Sequence, residues 1–436
     1  MSDVSFVRTE MLPEKAPPPT SAGAIGWARE NLFSGWFNTL LTLASLVVVY
    51  YVLSAIVPWI LSPTFSGTSL GQCREMLAAA GQESGHGGGA CWGVIRERWI
   101  QLMFGFYPSE LYWRPIAAFV LLAVALAPIL FSDKVPAKLI WFSAAYPFIF
   151  PWLLWGGAVW GPISAAAGFV IAFVVYRIVS QSMSDLIGLV GGILVALIWW
   201  LVLSGIAVSA LDSILPIGLE PVESRKFGGF MLSITIGIVA IACSLPLGIV
   251  MALGRQSDLM IVKYLCVGFI EFIRGVPLIT LLFVASTLLN IFMPPGTNFD
   301  IILRVLIMVT LFATAYMAEV IRGGLAALPK GQYEGADSLG LDYWQAQRLI
   351  IMPQALKISI PGIVSTFIGV FKDTTLVSII GLLDPLGLSN AIRADANWNG
   401  IVWELYGFIA LLFFVFCFGM SRYSMYLERK LQTGHR

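Results

Sequence analysis

The chain of 436 residues is 58% hydrophobic and 12% charged, against roughly 25% charged in ordinary soluble domains. Its formal net charge is +1, so nucleic acid has no electrostatic footprint to recognise. The composition is that of a polytopic membrane protein.

Residues 1–35 form a polar leader rich in Pro (PEKAPPPT), which reads as a disordered cytoplasmic tail. Residues 38–62 follow as 25 nearly uncharged positions, long enough to cross a bilayer and too long for a signal-peptide core. Residues 63–114 form a polar loop whose glycine-rich patch (SGHGGGA) lies between Cys73 and Cys91. Further spans are expected at 115–132, 139–158, 162–181 and 186–211, then a polar break at 212–227. The last five spans fall at 229–253, 276–293, 303–321, 359–382 and 401–420, making ten crossings. The domain reading is a tail (1–35), a membrane extension (36–211) and a second membrane region (212–436) whose polar loop is 322–357.

Lys and Arg fix the orientation through the positive-inside bias. With the N-terminus inside, 17 of the 26 basic residues lie on inner segments and eight on outer ones. Both termini and the loop 322–357 then face the cytoplasm. Cys73 and Cys91 face outward, where disulfides persist, so a bridge between them is expected, with two free thiols as the alternative. Cys243, Cys266 and Cys417 lie in or beside apolar runs and read as packing residues.

The polar stretch 331–355 (GQYEGADSLGLDYWQAQRLIIMPQA) interrupts this apolar chain. Pro329 and Gly331 can open a helix, and Gly340 supplies the positive φ that ends one. Asp342 with Gln345 reads as the N-cap of a second helix. Pro353 is expected to stop that helix by Met352. A helix, a glycine corner and a helix suit docking into a groove on a partner, the alternative being a solvated connector.

Charges inside spans are costly, and their default reading is functional. Lys372 and Asp373 fall in the ninth span, about 100° apart on a helix, with Thr374, Thr375 and Ser378 beside them. They suit a lined solute path. Alternatively, Lys372 snorkels to an interface and Asp373 caps a break. Glu271 with Arg274, and Glu319 with Arg322, have the i, i+3 spacing of structural ion pairs. No phosphate-cradling loop, nucleophile–base set or metal-ligand set occurs in the sequence. Any energy for transport must come from an ion gradient or from another protein.

Several runs resemble a known family. Glu334, Gly335, Ala336, Gly340, Ile350 and Pro353 match the spacing of the EAA loop of ABC importer permeases, with Gly335 in place of an Ala and Met352 in place of a Leu. The runs EFIRGVPLITLLF (271–283), AYMAEVIRGGLAALPKGQYEGADSLGL (315–341), PQALKISIPG (353–362) and FKDTTLVSIIG (371–381) resemble permeases of the polar amino-acid uptake branch. The long extension, with CRE at 73–75 and ACW at 90–92, resembles one permease subunit of the general L-amino-acid importer.

The resemblance implies an all-α polytopic protein with a type I ABC importer core of five helices behind a membrane-spanning extension. It implies a subunit of the bacterial plasma membrane that imports polar L-amino acids and binds no cofactor, ATP being used by separate ATPase subunits. The implied partners are cytoplasmic ATPases docked on the EAA loop, a second related permease, an outer amino-acid-binding protein and membrane lipid. Two other classes stay open: an ion-coupled secondary transporter, and a membrane scaffold or sensor.

Overall fold

The structure is a computed structural model that describes residues 23–62, 64–81, 88–288, 291 and 299–432. The expected disordered tail lies outside these residues up to position 22. Beyond it the expectation fails, because Gly23–Asn31 (α1) is helical.

The described residues form two compact units, the chain dividing after Gly93. The boundary expected at 211/212 therefore does not divide the fold. In the first unit, α2 (Trp36–Ile60) is a 25-residue apolar helix whose side chains are all at least partly exposed. Its length, ~37 Å at 1.5 Å per residue, crosses a bilayer. The loop after it is structured rather than merely polar. α3 (Leu70–Ala79) is capped by Ser69, whose hydroxyl accepts from the N–H of Gln72. Cys73 and Cys91 are joined by a disulfide with a Cα–Cα distance of 5.8 Å. Ser62 and Thr64 donate to the Ala90 carbonyl, and the Trp92 indole donates to Ile60 O, tying the bridged loop to the end of α2.

The second unit begins with most of α4 (Gly93–Phe104) and continues through α5 (Trp113–Leu130), α6 (Ile140–Trp155) and α7 (Trp160–Ser182). α8 (Asp185–Ile214) carries a π turn at Trp199–Leu203. The crowded stretch around 156 resolves into a tight reversal, Gly156 and Gly157 both taking positive φ. There β1 (Gly157–Ala158) pairs antiparallel with β2 (Gly218–Leu219) in a minimal ribbon.

The reason no division falls at 211/212 is visible at Arg114. Its guanidinium is fully buried and donates to the carbonyls of Leu153, Leu154 and Glu220. A cation among helix-end carbonyls is well placed, and this one joins α5, the end of α6 and the 215–228 segment. Trp155 stacks on Phe227 at 4.4 Å, continuing the same core.

Next come α9 (Gly229–Gln256), α10 (Met260–Gly275), α11 (Leu278–Leu288) and α12 (Ile301–Ala326). α9 and α12 pack along a small-residue stripe in which Ala240, Ser244, Gly248 and Ala252 are buried at i, i+4 spacing. A Cβ on Gly248 would lie 2.7 Å from the Met317 side chain, so the backbones approach as only small residues permit.

The span expected at 276–293 needs correction. Residues 260–275, read as an inner connector, are helical, and α10 meets α11 at 101°. Gly275-Val276-Pro277 sits at the break: Pro277 supplies no N–H and biases the residue before it away from the helix. Residues 289–290 and 292–293 of that span lie outside the described residues. Among the described residues nine helices are long and apolar enough to cross a membrane, or ten if the bent pair counts as one.

The chain ends with α13 (Lys330–Ser338), α14 (Tyr343–Ala346), α15 (Met352–Asp373), α16 (Pro385–Arg393) and α17 (Trp403–Gln432). The helix expected to stop by Met352 does not stop. A π turn at Gln347–Ile351 leads from α14 into α15, and Pro353 sits in its first turn. The wider turn relieves the contact between the proline ring and the preceding carbonyls, and a missing N–H is harmless where a helix starts. The ninth span is accordingly longer than 359–382 at its start. It ends as α-helix at Asp373 and continues as a 3-10 turn over Thr374–Ile380.

Candidate functional site: a helical corner on an ion-paired base

The loop 327–357 is built from local chemistry. α13 ends with Gly340 at φ +70°. The Gly340 N–H bonds to Asp337 O at 2.9 Å, and the Leu341 N–H bonds to Ala336 O at 3.3 Å. This is a Schellman closure, which needs the positive φ that glycine adopts without strain. Two residues on, Asp342 accepts from the Gln345 N–H at 2.8 Å, and the Gln345 side chain accepts from the Asp342 N–H at 3.2 Å, a complete capping box.

The corner is anchored from one side. Ala336 and Ile351 are buried, and Ile351 clusters with Ile321, Leu325, Leu328 and Ala355, on which Tyr333 of α13 also packs. Gln354 of α15 donates to Gln332 of α13 at 2.8 Å, closing the hairpin. The other side is open. Glu334, Gly335 and Gly340 are exposed, and so are the large apolar side chains of Leu339 (74%) and Trp344 (70%), with Tyr343 and Leu349 beside them in sequence. Pro353 and Ile350 lie at the junction into α15, Ile350 packing on the same cluster.

Beneath the corner the two expected ion pairs merge into one network. Glu319 is within 3.0 Å of Arg322, and Glu271 is 3.9 Å from Arg274. Arg255, at the end of α9, joins them, 2.9 Å from Glu271 and 2.7 Å from Glu319. Arg274 also reaches Glu319 at 3.6 Å. Three arginines and two glutamates thus tie α9, α10 and α12 together next to the loop. Glu319 has the least exposed side chain of the five and contacts all three cations. Arg255 was not singled out from the sequence. Its only signal was a basic residue at a span end, since its partners lie 16 and 64 residues away.

The residues read as a solute path lie at the other end of α15. Lys372 is exposed, Asp373 is half-buried and Thr374 is buried. The hydroxyls turn back onto their own helix: Thr374 donates to Phe371 O, Thr375 to Lys372 O and Ser378 to Thr375 O. Among the described residues, neither the Lys372 ammonium nor the Asp373 carboxylate makes a hydrogen bond or salt bridge. Within the group, only these two side chains keep their full capacity to meet a polar solute.

A further buried carboxylate was missed. Asp384 is fully enclosed and caps α16, accepting from the N–H groups of Gly387 (2.9 Å) and Leu386 (3.1 Å). Burial pushes its carboxyl up to about 6, and the two backbone N–H bonds offset part of that rise. Asp followed by Pro at a helix start was the available signal.

Residues 244–433 match the family described as binding-protein-dependent transport system inner membrane component. The glutamate/glutamine/aspartate/asparagine transport system permease protein BztC of Rhodobacter capsulatus is 58% identical over 438 residues, covering 100% of both chains. The inner membrane amino-acid ABC transporter permease protein YhdY of Escherichia coli is 39% identical over 430 residues, covering 98% of this chain and 99% of its own. A solved amino acid ABC transporter is 30% identical, with a TM-score of 0.42, over 46% of this chain and 91% of its own.

Proposed function

The chain belongs to the amino-acid ABC transporter permeases, and from that premise we propose that it carries polar L-amino acids inward across a bacterial plasma membrane. It is a multi-pass membrane protein and a transporter subunit. The substrate class follows the activities of its relatives, one of which is a glutamate/glutamine/aspartate/asparagine transport system permease. Hydrolysis of ATP takes place on separate cytoplasmic subunits, and this chain binds no cofactor. An outer amino-acid-binding protein delivers the solute, and a second, related permease completes the membrane path.

The observation that carries the reading is the corner at 331–355. Its inner face is buried at Ala336 and Ile351, while Leu339 and Trp344 stand in solvent. Large exposed apolar side chains on a rigid helical corner are what a partner groove takes up. The excess of Lys and Arg on the same side supports a cytoplasmic location, where the ATPase resides. In this reading Glu334, Gly335, Ala336, Gly340, Ile350 and Pro353 form the coupling element. The ion network below it passes a push on the corner to α9, α10 and α12. At the outer side, Lys372 and Asp373 meet the solute, with Thr374, Thr375 and Ser378 shaping the helix end that presents them.

The test is a purified complex of this permease with its ATPase, its partner permease and the binding protein. ATPase stimulation across a panel of amino acids should be largest for polar L-amino acids. Gly340→Asp, which forces a side chain into positive φ, should reduce ATPase retention and uptake together. Intact uptake and assembly in that variant would refute the coupling role.

A further inference from the structure

The extension also reaches the core at the far end of the bundle from the 331–355 corner. There the chain from Arg98 to Tyr107 crosses the start of α9. Gly105 bridges Phe227, and Gly228 bridges Leu383, so three backbone segments lie side by side. The Gly229 N–H donates to Leu383 O at 2.7 Å. The contact is glycine on glycine: a Cβ on Gly105 would fall 2.5 Å from the Gly228 Cα, and one on Gly229 would fall 2.5 Å from Leu102 O. Met103 adds an apolar contact to the cluster of Phe230, Phe371 and Phe413.

The same stretch also holds the chain just beyond α16. Arg98 donates to Asp395 at 2.6 Å, a half-buried pair whose members are 297 residues apart. Asp395 lies two residues past the end of α16, and Leu383 lies two residues before its start. Both flanks of this short helix are therefore tied to the extension, one directly by an ion pair and one indirectly, through Gly228 and Gly229, on which Gly105 and Leu102 pack. α16 in turn packs on the 3-10 turn Thr374–Ile380 that continues from Lys372 and Asp373.

We propose that Arg98–Tyr107 of the extension is a positioning element for transport, setting α16 over the outer end of the solute path, with Arg98 as the residue that locks it. This rests on the permease reading above. The extension is then more than added membrane: its outer segment is a fixed part of the mouth that receives the amino acid. Arg98 touches no solute and acts through α16.

The experiment uses the full complex in proteoliposomes with the amino-acid-binding protein and a polar amino acid. Arg98→Asp should lower binding-protein-stimulated ATPase activity about tenfold, equivalent to ~1.4 kcal/mol of coupling, while basal ATPase activity is unchanged. The reversed pair, R98D with D395R, should recover the stimulation. Arg96→Asp, which removes an exposed pair with the adjacent Glu97, should leave it unaltered. If Arg98→Asp does not assemble, Asp395→Asn removes the same ion pair with less change of shape and is read in the same way. Stimulation kept within about twofold, or no recovery in the reversed pair, overturns the proposal alone. A wild-type complex whose ATPase shows no amino-acid-dependent stimulation overturns the permease reading and the proposal with it.

Discussion

Gly323 and Gly324 are adjacent in α12, and the structure assigns them opposite responses to the same change. A Cβ on Gly323 meets nothing within 4 Å, whereas one on Gly324 falls 2.1 Å from Ser359 Oγ and 2.5 Å from Ala355 O. The Ser359 hydroxyl can rotate away, at the cost of its 3.2 Å bond to Val320 O. The Ala355 carbonyl belongs to the backbone of α15, so the two helices must move apart. Gly323→Ala should therefore stabilise by ~0.5–1 kcal/mol through helix propensity. Gly324→Ala gains the same propensity but incurs overpacking of about 1–3 kcal/mol, a net loss of up to ~2.5 kcal/mol. Because α12 and α15 flank the corner, Gly324→Ala should also weaken the coupling of ATP hydrolysis to uptake, and Gly323→Ala should not. An SDS-unfolding titration of the purified permease, run beside the uptake-to-ATPase ratio, measures both effects. Equal stability of the two variants would refute the close packing of α12 on α15.

Two further substitutions separate other parts of the argument. Glu319→Gln leaves Arg255, Arg274 and Arg322 around a neutral group and should cost about 1–3 kcal/mol, discounted from the buried-pair value because the arginines are partly solvated. Glu271→Gln, on a half-exposed carboxylate, should cost under about 1 kcal/mol, and the same SDS titration at two salt concentrations distinguishes them. Asp384 gives a pH signature. Its folded value, about 6, lies above the ordinary aspartate value near 4, so the folded state holds the proton more tightly. Stability should then fall as pH rises from about 4 to 6, by up to ~3 kcal/mol. Asp384→Asn keeps a capping oxygen for α16 and should flatten that fall. An unchanged pH profile in Asp384→Asn would refute the assignment to this carboxyl.

The corner was legible because its signals are local. Gly340 can take positive φ whatever surrounds it, and Asp342 and Gln345 cap each other within one turn. The termination placed at Pro353 followed a sound local rule that a neighbouring π turn overrode, and no propensity of Gln347–Ile351 announces that turn. The span placed at 276–293 failed similarly. The hydropathy of 276–293 carries no sign of the amphipathic stretch before it, whose apolar face at Met260, Ile261, Tyr264 and Leu265 is exposed while Ile270 and Ile273 are buried. Lys372 and Asp373 stand out in the sequence as costly charges, but the hydroxyls grouped with them turn onto their own backbone, which residue type alone does not reveal.

By itself, the sequence determined the membrane class, most of the spans and the helix–glycine–helix corner. Each rests on chemistry within a few residues, or on sums over many. Only the tertiary structure joined Arg255 to Glu319, set Gly324 against Ala355, and brought Arg98 to Asp395. Those partners are separated by 31 to 297 residues, and a side chain's spacing along the chain carries no information about a contact made by folding across that distance.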